Sequence, residues 1–104
     1  MKNYVFIYYN GGATDNMPMD EVRAAWMAWF QELGDKVVDA GNPFNSGGKV
    51  VMADGVNDAQ GPATTGYTIV KADSLDAAIA LAKTCPLVAH VKDAGVGVYE
   101  TMPM

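Results

Sequence analysis

Side chains suited to proton transfer are scarce in this sequence. His90 is the single histidine, and histidine is the side chain whose ordinary pKa lies nearest neutrality. It would act as a general base if a carboxylate such as Asp93 or Asp58 oriented it, and Asp54 is the second acid–base candidate. A histidine exposed on a loop is the alternative, and the pattern favours it.

The single cysteine and the carboxylates give no metal signature. Cys85 precedes a proline near the predicted end of a helix, where the helix dipole raises the pKa of a thiol. This favours a buried structural thiol over a nucleophile. One histidine and one cysteine cannot supply the usual metal-ligand cluster. Negative charge at the start of a helix is a better explanation than metal binding for Asp15, Asp20 and Glu21. We therefore predict no metal site and no cofactor.

Aromatic side chains offer a different chemistry, the binding of a small organic molecule. Sites for small molecules are concave, mostly apolar, and carry a few polar groups. The candidate lining residues, between the first helix and the sheet, are Trp26, Trp29, Phe30 and Tyr67. The candidate polar groups are Tyr8, Asn10 and Asn42. Core packing of the aromatic residues is the alternative and is favoured by their helical spacing, while the polar residues also suit strand ends and turns.

Charge and composition exclude several classes of partner. The 104 residues include 7 Lys and Arg against 12 Asp and Glu, a net charge of −5, and no two basic residues are adjacent. Nucleic acids and anionic membranes both require a basic patch, so we predict neither as a partner. One cysteine excludes a disulfide scaffold. The apolar run at residues 4–9 is too short for a signal peptide or a membrane span, which predicts a cytoplasmic protein.

The residue pattern predicts alternating strands and helices. Apolar residues spaced by three and four predict a first helix from Met19 or Asp20 that continues to Gly41, with a break at Gly34 as the alternative. A second helix is predicted to begin after Asp73 and to end at Pro86. The predicted strands are residues 4–9, 49–53, 66–72 and 95–101, and the predicted loops are residues 42–48, 56–65 and 87–94.

This order, βαββαβ, predicts one α+β domain over residues 1–104 with a ferredoxin-like fold. Such a fold has a four-stranded antiparallel sheet with both helices on one face. Its first strand is central, yet both faces of that strand are apolar: Tyr4, Phe6 and Tyr8 on one, and Val5, Ile7 and Tyr9 on the other. Burying each such side chain contributes about 1.5–3 kcal/mol, so we predict a homodimer that packs sheet against sheet. A monomer with more complete helical cover is the alternative.

Short motifs in a fixed order extend this interpretation along nearly the whole chain. They are the aromatic first strand, residues 26–30 (WMAWF), residues 41–44 (GNPF), residues 54–55 (DG), residues 66–67 (GY), and residues 72–78 (ADSLDAA) leading to residues 85–86 (CP). In these the chain resembles the YCII-related domain, including its DGPF branch. The resemblance implies a dimeric α/β barrel of ferredoxin-like units and little about activity.

A His–Asp pair has been suggested as the active site in some members of that family. The sequence departs from it, because the region of the first helix has Arg23 and Trp26 in place of a histidine. Residues 58–62 (DAQGP) also depart from the DGPF motif. The suggested dyad therefore cannot be carried over to this chain.

Together these features favour a small-molecule-binding homodimer, which could also be a cofactor-free enzyme. A non-catalytic binding or regulatory module is the alternative, and the lack of a paired acid–base constellation supports it. A cofactor-free monooxygenase of similar barrel form is a third possibility, for which the sequence contains no residue signature.

Overall fold

The protein's structure, a computed structural model, describes residues 1–10, 18–45, 47–58 and 64–103. Along these residues a 3₁₀ turn, Gly34–Lys36, follows the first helix. The strands and helices, in chain order, are β1 (Lys2–Tyr9), α1 (Met19–Leu33), β2 (Val37–Asp39), β3 (Lys49–Met52), β4 (Gly55–Asp58), β5 (Thr64–Ala72), α2 (Leu75–Lys83), α3 (Pro86–His90) and β6 (Gly95–Glu100).

Four strands form one antiparallel sheet in the order β2-β5-β1-β6. β1 is central, so that Phe6 lies between Thr68 of β5 and Val98 of β6. The helices pack against one face of the sheet, where Trp29 of α1 and Ala78 of α2 join the core. The predicted α+β, ferredoxin-like architecture is therefore confirmed for the described residues.

Successive side chains of β1 point to opposite faces of the sheet. The inward side chains pack beneath the helices and are buried: Tyr4, Phe6 and Tyr8. The ring of Phe6 lies 6.3 Å from that of Trp29, centroid to centroid. The outward side chains are half-buried within the protomer: Val5, Ile7 and Tyr9. The sequence left open which set faces the helices, and the structure places the even-numbered set there.

The first helix is shorter than its apolar spacing predicts. α1 ends at Leu33, and Gly34 has a φ of 57° while its N–H donates to the carbonyl oxygen of Phe30. Glycine adopts such a left-handed φ with little strain, which stops the helix there. The prediction of one helix as far as Gly41 is wrong, and the alternative break at Gly34 is confirmed.

Residues 37–39 form the edge strand β2, although their spacing continued the helical pattern. Val37 pairs with Val70 of β5 and packs against the buried core. Val37 is therefore apolar because it packs against the core, and it does so from an extended strand and not from a helix. Periodicity alone did not distinguish this short strand from a further turn of helix.

Residues 49–52 form a strand, as predicted, but not in the main sheet. β3 pairs with β4 in a separate two-stranded hairpin, and Lys49 forms an ion pair with Asp58 at its open end. The sheet position expected for β3 is occupied by β2. Residues 56–58, predicted as loop, form most of β4. Every residue of the two strands is exposed.

The second half of the chain follows the prediction with shifted boundaries. Ser74, not Asp73, caps α2, because its Oγ accepts a hydrogen bond from the N–H of Ala77 at 3.1 Å. α2 ends at Lys83, and Pro86 begins α3 instead of ending α2. Residues 87–90, predicted as a connection, are therefore helical. None of the helices described is long and apolar enough to cross a bilayer.

We expect Gly41 to be far less tolerant of substitution than Gly47. Both have a positive φ, 77° and 89°. At Gly41 an added Cβ would also lie 1.7 Å from the carbonyl oxygen of Tyr67, whereas at Gly47 nothing lies within 4 Å. Gly47→Ala should lower the free energy of unfolding by about 1–2 kcal/mol, and Gly41→Ala by about 3 kcal/mol or more. Urea unfolding of both variants measures this, and equal losses would contradict the close approach at Gly41.

Candidate functional site

A cavity of about 460 Å³ opens between α1 and the sheet. Its walls come from α1 (Trp26 and Phe30), β1 (Tyr8), residues 65–68 of β5, and Leu87 of α3. Residues 40–44, which follow β2, form its lip. Its volume lies in the range of about 300–1,000 Å³ that is usual for small-molecule sites.

The two tryptophans of α1 have different positions: Trp29 belongs to the core, and Trp26 lines the cavity. Trp29 is 2% exposed, and its indole N–H donates to Thr84 Oγ1 at 2.9 Å. Trp26 is half-buried, and its ring lies 5.6 Å from Trp29 and 5.1 Å from Tyr8, nearly perpendicular to each. Edge-to-face contacts of this kind fix ring orientation. Trp29 therefore supports Trp26 from behind, and Trp26 meets the cavity.

Two hydroxyl groups on the cavity wall are joined in one hydrogen-bonded chain. Tyr8 donates its phenolic O–H to Thr68 Oγ1 at 2.6 Å, and Thr68 donates onward to the carbonyl oxygen of Ala40 at 2.9 Å. This chain ties β1 and β5 to the lip. Burial raises the pKa of Tyr8 above its ordinary value, although its hydrogen bond with Thr68 acts in the opposite direction. Tyr8 is therefore a neutral donor at physiological pH, already committed to Thr68.

The lip is held in place by backbone and side-chain contacts with β5. Phe44 donates its N–H to the carbonyl oxygen of Thr65 at 2.9 Å, and its ring stacks on Tyr67 with centroids 6.0 Å apart. Asp39 accepts from the N–H of Gly41 at 2.8 Å and from the Tyr67 hydroxyl at 3.4 Å. The segment therefore runs beside β5 as an irregular extension of β2.

The structure brings five of the seven predicted lining and polar residues to this cavity: Tyr8, Trp26, Phe30, Asn42 and Tyr67. Trp29 lies behind the wall, as described above. Asn10, at the end of β1, donates its side-chain N–H to the carbonyl oxygen of Asp93 at 2.9 Å, which suits the strand-end role that was the alternative. A role in binding for any of them stays a prediction.

Sequence reasoning missed several lining residues, including Phe44, Thr68 and Leu87. Thr68 is fully buried on the inward face of β5, which is otherwise apolar, and the sequence offers no signal for a polar residue there. Phe44 did carry a signal, since a large aromatic residue in a loop of Asn, Pro and Gly needs a packing partner. Its partner, Tyr67, is distant in sequence.

The predicted catalytic residues lie in two different places. Asp54 is exposed at the turn between β3 and β4 and is not among the lining residues. His90 is the last residue of α3, not a loop residue, and α3 also contributes Leu87 to the cavity one helical turn earlier. A catalytic role for either residue stays a prediction. In the described segments no three His, Cys, Asp or Glu residues cluster in a way that could hold a metal ion.

Cys85 is buried, as expected for a structural thiol, but the cause of its raised pKa is not the one predicted from the sequence. It lies where α2 ends and α3 begins: its N–H donates to the carbonyl oxygen of Ala82 at 3.0 Å, and it is also the N-cap residue of α3. Burial instead raises the pKa of the thiol to about 11, against smaller opposing effects of hydrogen bonds from the backbone at Leu87 and Val88. The thiol is therefore protonated at neutral pH.

Comparison with known proteins agrees with the resemblance drawn from the sequence. A family model described as the YCII-related domain matches residues 1–104, the full length of the chain. No curated protein gives a significant match, and neither does any solved structure.

The raised pKa of Cys85 predicts a loss of stability at alkaline pH. The protonated thiol is favoured in the fold, so its contribution is complete below the ordinary pKa of 9.0 and is lost as the pH rises to about 11. Over that interval the native chain should lose about 2 kcal/mol more free energy of unfolding than Cys85→Ala. Urea unfolding in reductant at pH 7 to 11 measures this difference. Parallel pH profiles of the two proteins would show that the thiol is not responsible.

Proposed function

The chain belongs to the YCII-related domain family, and from this premise we propose that it is a homodimer that binds a small organic molecule beside Trp26. The observation that carries the proposal is the cavity of about 460 Å³ between α1 and the sheet. Aromatic side chains line it together with a few polar groups, the hydroxyls of Tyr8 and Thr68 on the wall and the amide of Asn42 at the lip, as in small-molecule sites generally.

The different environments of the two tryptophans support binding over simple core packing. Trp29 satisfies its indole N–H within the fold through Thr84, whereas Trp26 makes no hydrogen bond to any described residue. No buried side-chain nitrogen or oxygen in those segments lacks a partner, so the Trp26 N–H reaches solvent-accessible space. A large amphipathic side chain at the wall of a cavity is a common anchor for a ligand.

The chemistry of the lining favours binding without catalysis. Among the described lining residues, only Tyr8 and Tyr67 are ionisable, and both donate their hydroxyl groups within the fold. A general base needs a pKa near the working pH, and burial raises the pKa of Tyr8 further away from it. A cofactor-free enzyme would have to draw on His90 or Asp54, and it remains the second candidate because α3 carries both His90 and the lining residue Leu87.

The proposed dimer rests on an apolar sheet face that the protomer's own helices do not cover. In this open face, Val5 lies between Ile69 of β5 and Tyr99 of β6, with Ile7 and Tyr9 further along β1. The chain exposes 7149 Å², about 1,500 Å² more than the roughly 5,600 Å² typical of a compact monomer of this mass. A standard interface buries about 800 Å² on each partner, so the excess is enough for one.

The hairpin of β3 and β4 is a second uncovered apolar surface. Val51 and Val56 face each other across its strands and are 77% and 62% exposed. An isolated two-stranded hairpin is only marginally stable in water. We infer that a second copy of the chain covers the hairpin together with the open face, as two-fold symmetry allows.

Binding at the cavity is tested by a thermal-shift screen of small organic molecules. A ligand at 100 times its Kd stabilises the fold by about 2.7 kcal/mol, which raises the melting temperature measurably. Trp26→Ala should weaken the best ligand at least about tenfold, because it removes the central ring of the wall. Met27→Ala, at the adjacent exposed position of α1, is the matched control and should bind normally. A screen without a hit, or a hit indifferent to Trp26→Ala, would refute the proposed site.

The assembly is tested by size exclusion with light scattering at micromolar concentration. The native chain should elute with twice its mass of 11.0 kDa. Ile7→Lys and Ile69→Lys place a charge in the open face and should yield monomers that remain folded by circular dichroism. From these half-buried positions a lysine can extend its charged end to solvent in the monomer, but in the dimer the charge would be buried without a partner. Met27→Lys, on α1, should leave the dimer intact. A native mass near 11.0 kDa would exclude the dimer.

A further inference from the structure

We propose that the ligand of this cavity is an uncharged aromatic molecule with a hydrogen-bond acceptor at its edge. This inference rests on the proposed binding function and specifies its ligand class. It follows from the lack of charged side chains among the described lining residues, from the geometry of the aromatic rings, and from the hydrogen-bonding groups that the fold leaves available.

The distribution of basic residues argues against an anionic ligand. All seven lysines and arginines of the chain lie in the described segments, and none of them lines the cavity. The remaining residues of the sequence contain no lysine or arginine, so they cannot supply the missing cation either. An anion here would lose hydration without gaining a lysine or arginine as a partner, which is unfavourable.

The carboxylates of the described segments argue against a cationic ligand in the same way. None lines the cavity, and Asp39, two residues before the lining residue Gly41, is already engaged. Its two oxygens accept from the N–H of Gly41 and from the hydroxyl of Tyr67. Among the described lining residues, a cation would therefore find only the faces of the aromatic rings, a weaker interaction than one with a carboxylate.

The ring geometry of the wall suits a planar aromatic ligand. Trp26 lies edge-to-face with Tyr8 at 82°, and its ring is tilted by 33° from that of Phe30 at a centroid distance of 6.0 Å. The wall therefore combines ring faces and ring edges. Aromatic pairs prefer such offset or perpendicular arrangements, each worth more than the buried area alone.

The hydrogen-bonding groups of the wall are mostly already used, which defines the polar part of the ligand. Tyr8 and Thr68 are joined in their chain to Ala40, and Tyr67 donates to Asp39. The indole N–H of Trp26 and the side-chain amide of Asn42 make no hydrogen bond to the described residues. Trp26 can only donate, so the ligand should carry an acceptor such as a carbonyl oxygen.

The test uses three naphthalenes of nearly equal shape, titrated calorimetrically at about pH 8, where histidine is ordinarily uncharged. They are 2-acetylnaphthalene, which is neutral with a carbonyl acceptor, 2-naphthoate, which is anionic, and 2-(aminomethyl)naphthalene, which is cationic. We expect 2-acetylnaphthalene to bind at least about tenfold more tightly than either ion. Equal or tighter binding of either ion overturns the proposed ligand class.

A charge added at the lip gives an independent readout. Asn42 is exposed, so Asn42→Lys should fold normally and supply the cation that the native wall lacks. It should tighten 2-naphthoate at least about tenfold relative to the native chain, while Met27→Lys should not. Absence of this gain contradicts the placement of the ligand's polar edge beside Asn42.

The outcomes distinguish a failure of the proposed ligand class from a failure of the proposed binding function. If a charged hit of the thermal-shift screen binds at Trp26 and outcompetes 2-acetylnaphthalene, the class is wrong and the binding function stands. If neither the screen nor any naphthalene shows binding that Trp26→Ala weakens, both proposals fail.

Discussion

The fold depends on one constraint, that a central strand apolar on both faces must be covered on both. β1 meets the constraint on one face by placing Phe6 against Trp29 and Tyr8 against Trp26. Hydrophobic burial has no direction of its own. The position of α1 above the sheet is therefore fixed by the packing of these particular rings. The other face, with Val5 and Ile7, is covered by none of the described helices. The core, the cavity wall and the proposed interface are therefore consequences of the same six residues, 4–9.

The cavity exists because the cover over the sheet is incomplete beside β5. β2 is only three residues long, and residues 40–44 continue along β5 without forming a regular strand. They can do so closely because Gly41 lacks a Cβ where it passes the carbonyl oxygen of Tyr67. α1 ends at Leu33 and does not extend over this region. The result is an opening bounded by rings and by hydroxyl groups that bond among themselves.

Much of the candidate site could be predicted, although not its boundaries. The aromatic content of α1 and the turn residues at 41–43 indicated an apolar pocket near the first helix. They did not separate Trp26 from Trp29, since both lie on the apolar side of one helix and their spacing is the same in core and in cavity wall. Thr68 could not be predicted because a polar residue in a strand is ordinarily exposed. Here its hydrogen bonds with Tyr8 and Ala40 compensate for its burial.

The sequence by itself determined the fold class, the family and the apolar character of both faces of β1, because these depend on residue type and on local order along the chain. Only the tertiary structure decided that residues 37–39 take the edge of the sheet, that β3 and β4 stand apart as a hairpin, and that Cys85 caps α3. The physical reason is that a short apolar segment satisfies several local conformations about equally well. Which of these conformations the segment takes is decided by its packing partners, such as Val70. Those partners are remote in sequence, so local patterns do not reveal them.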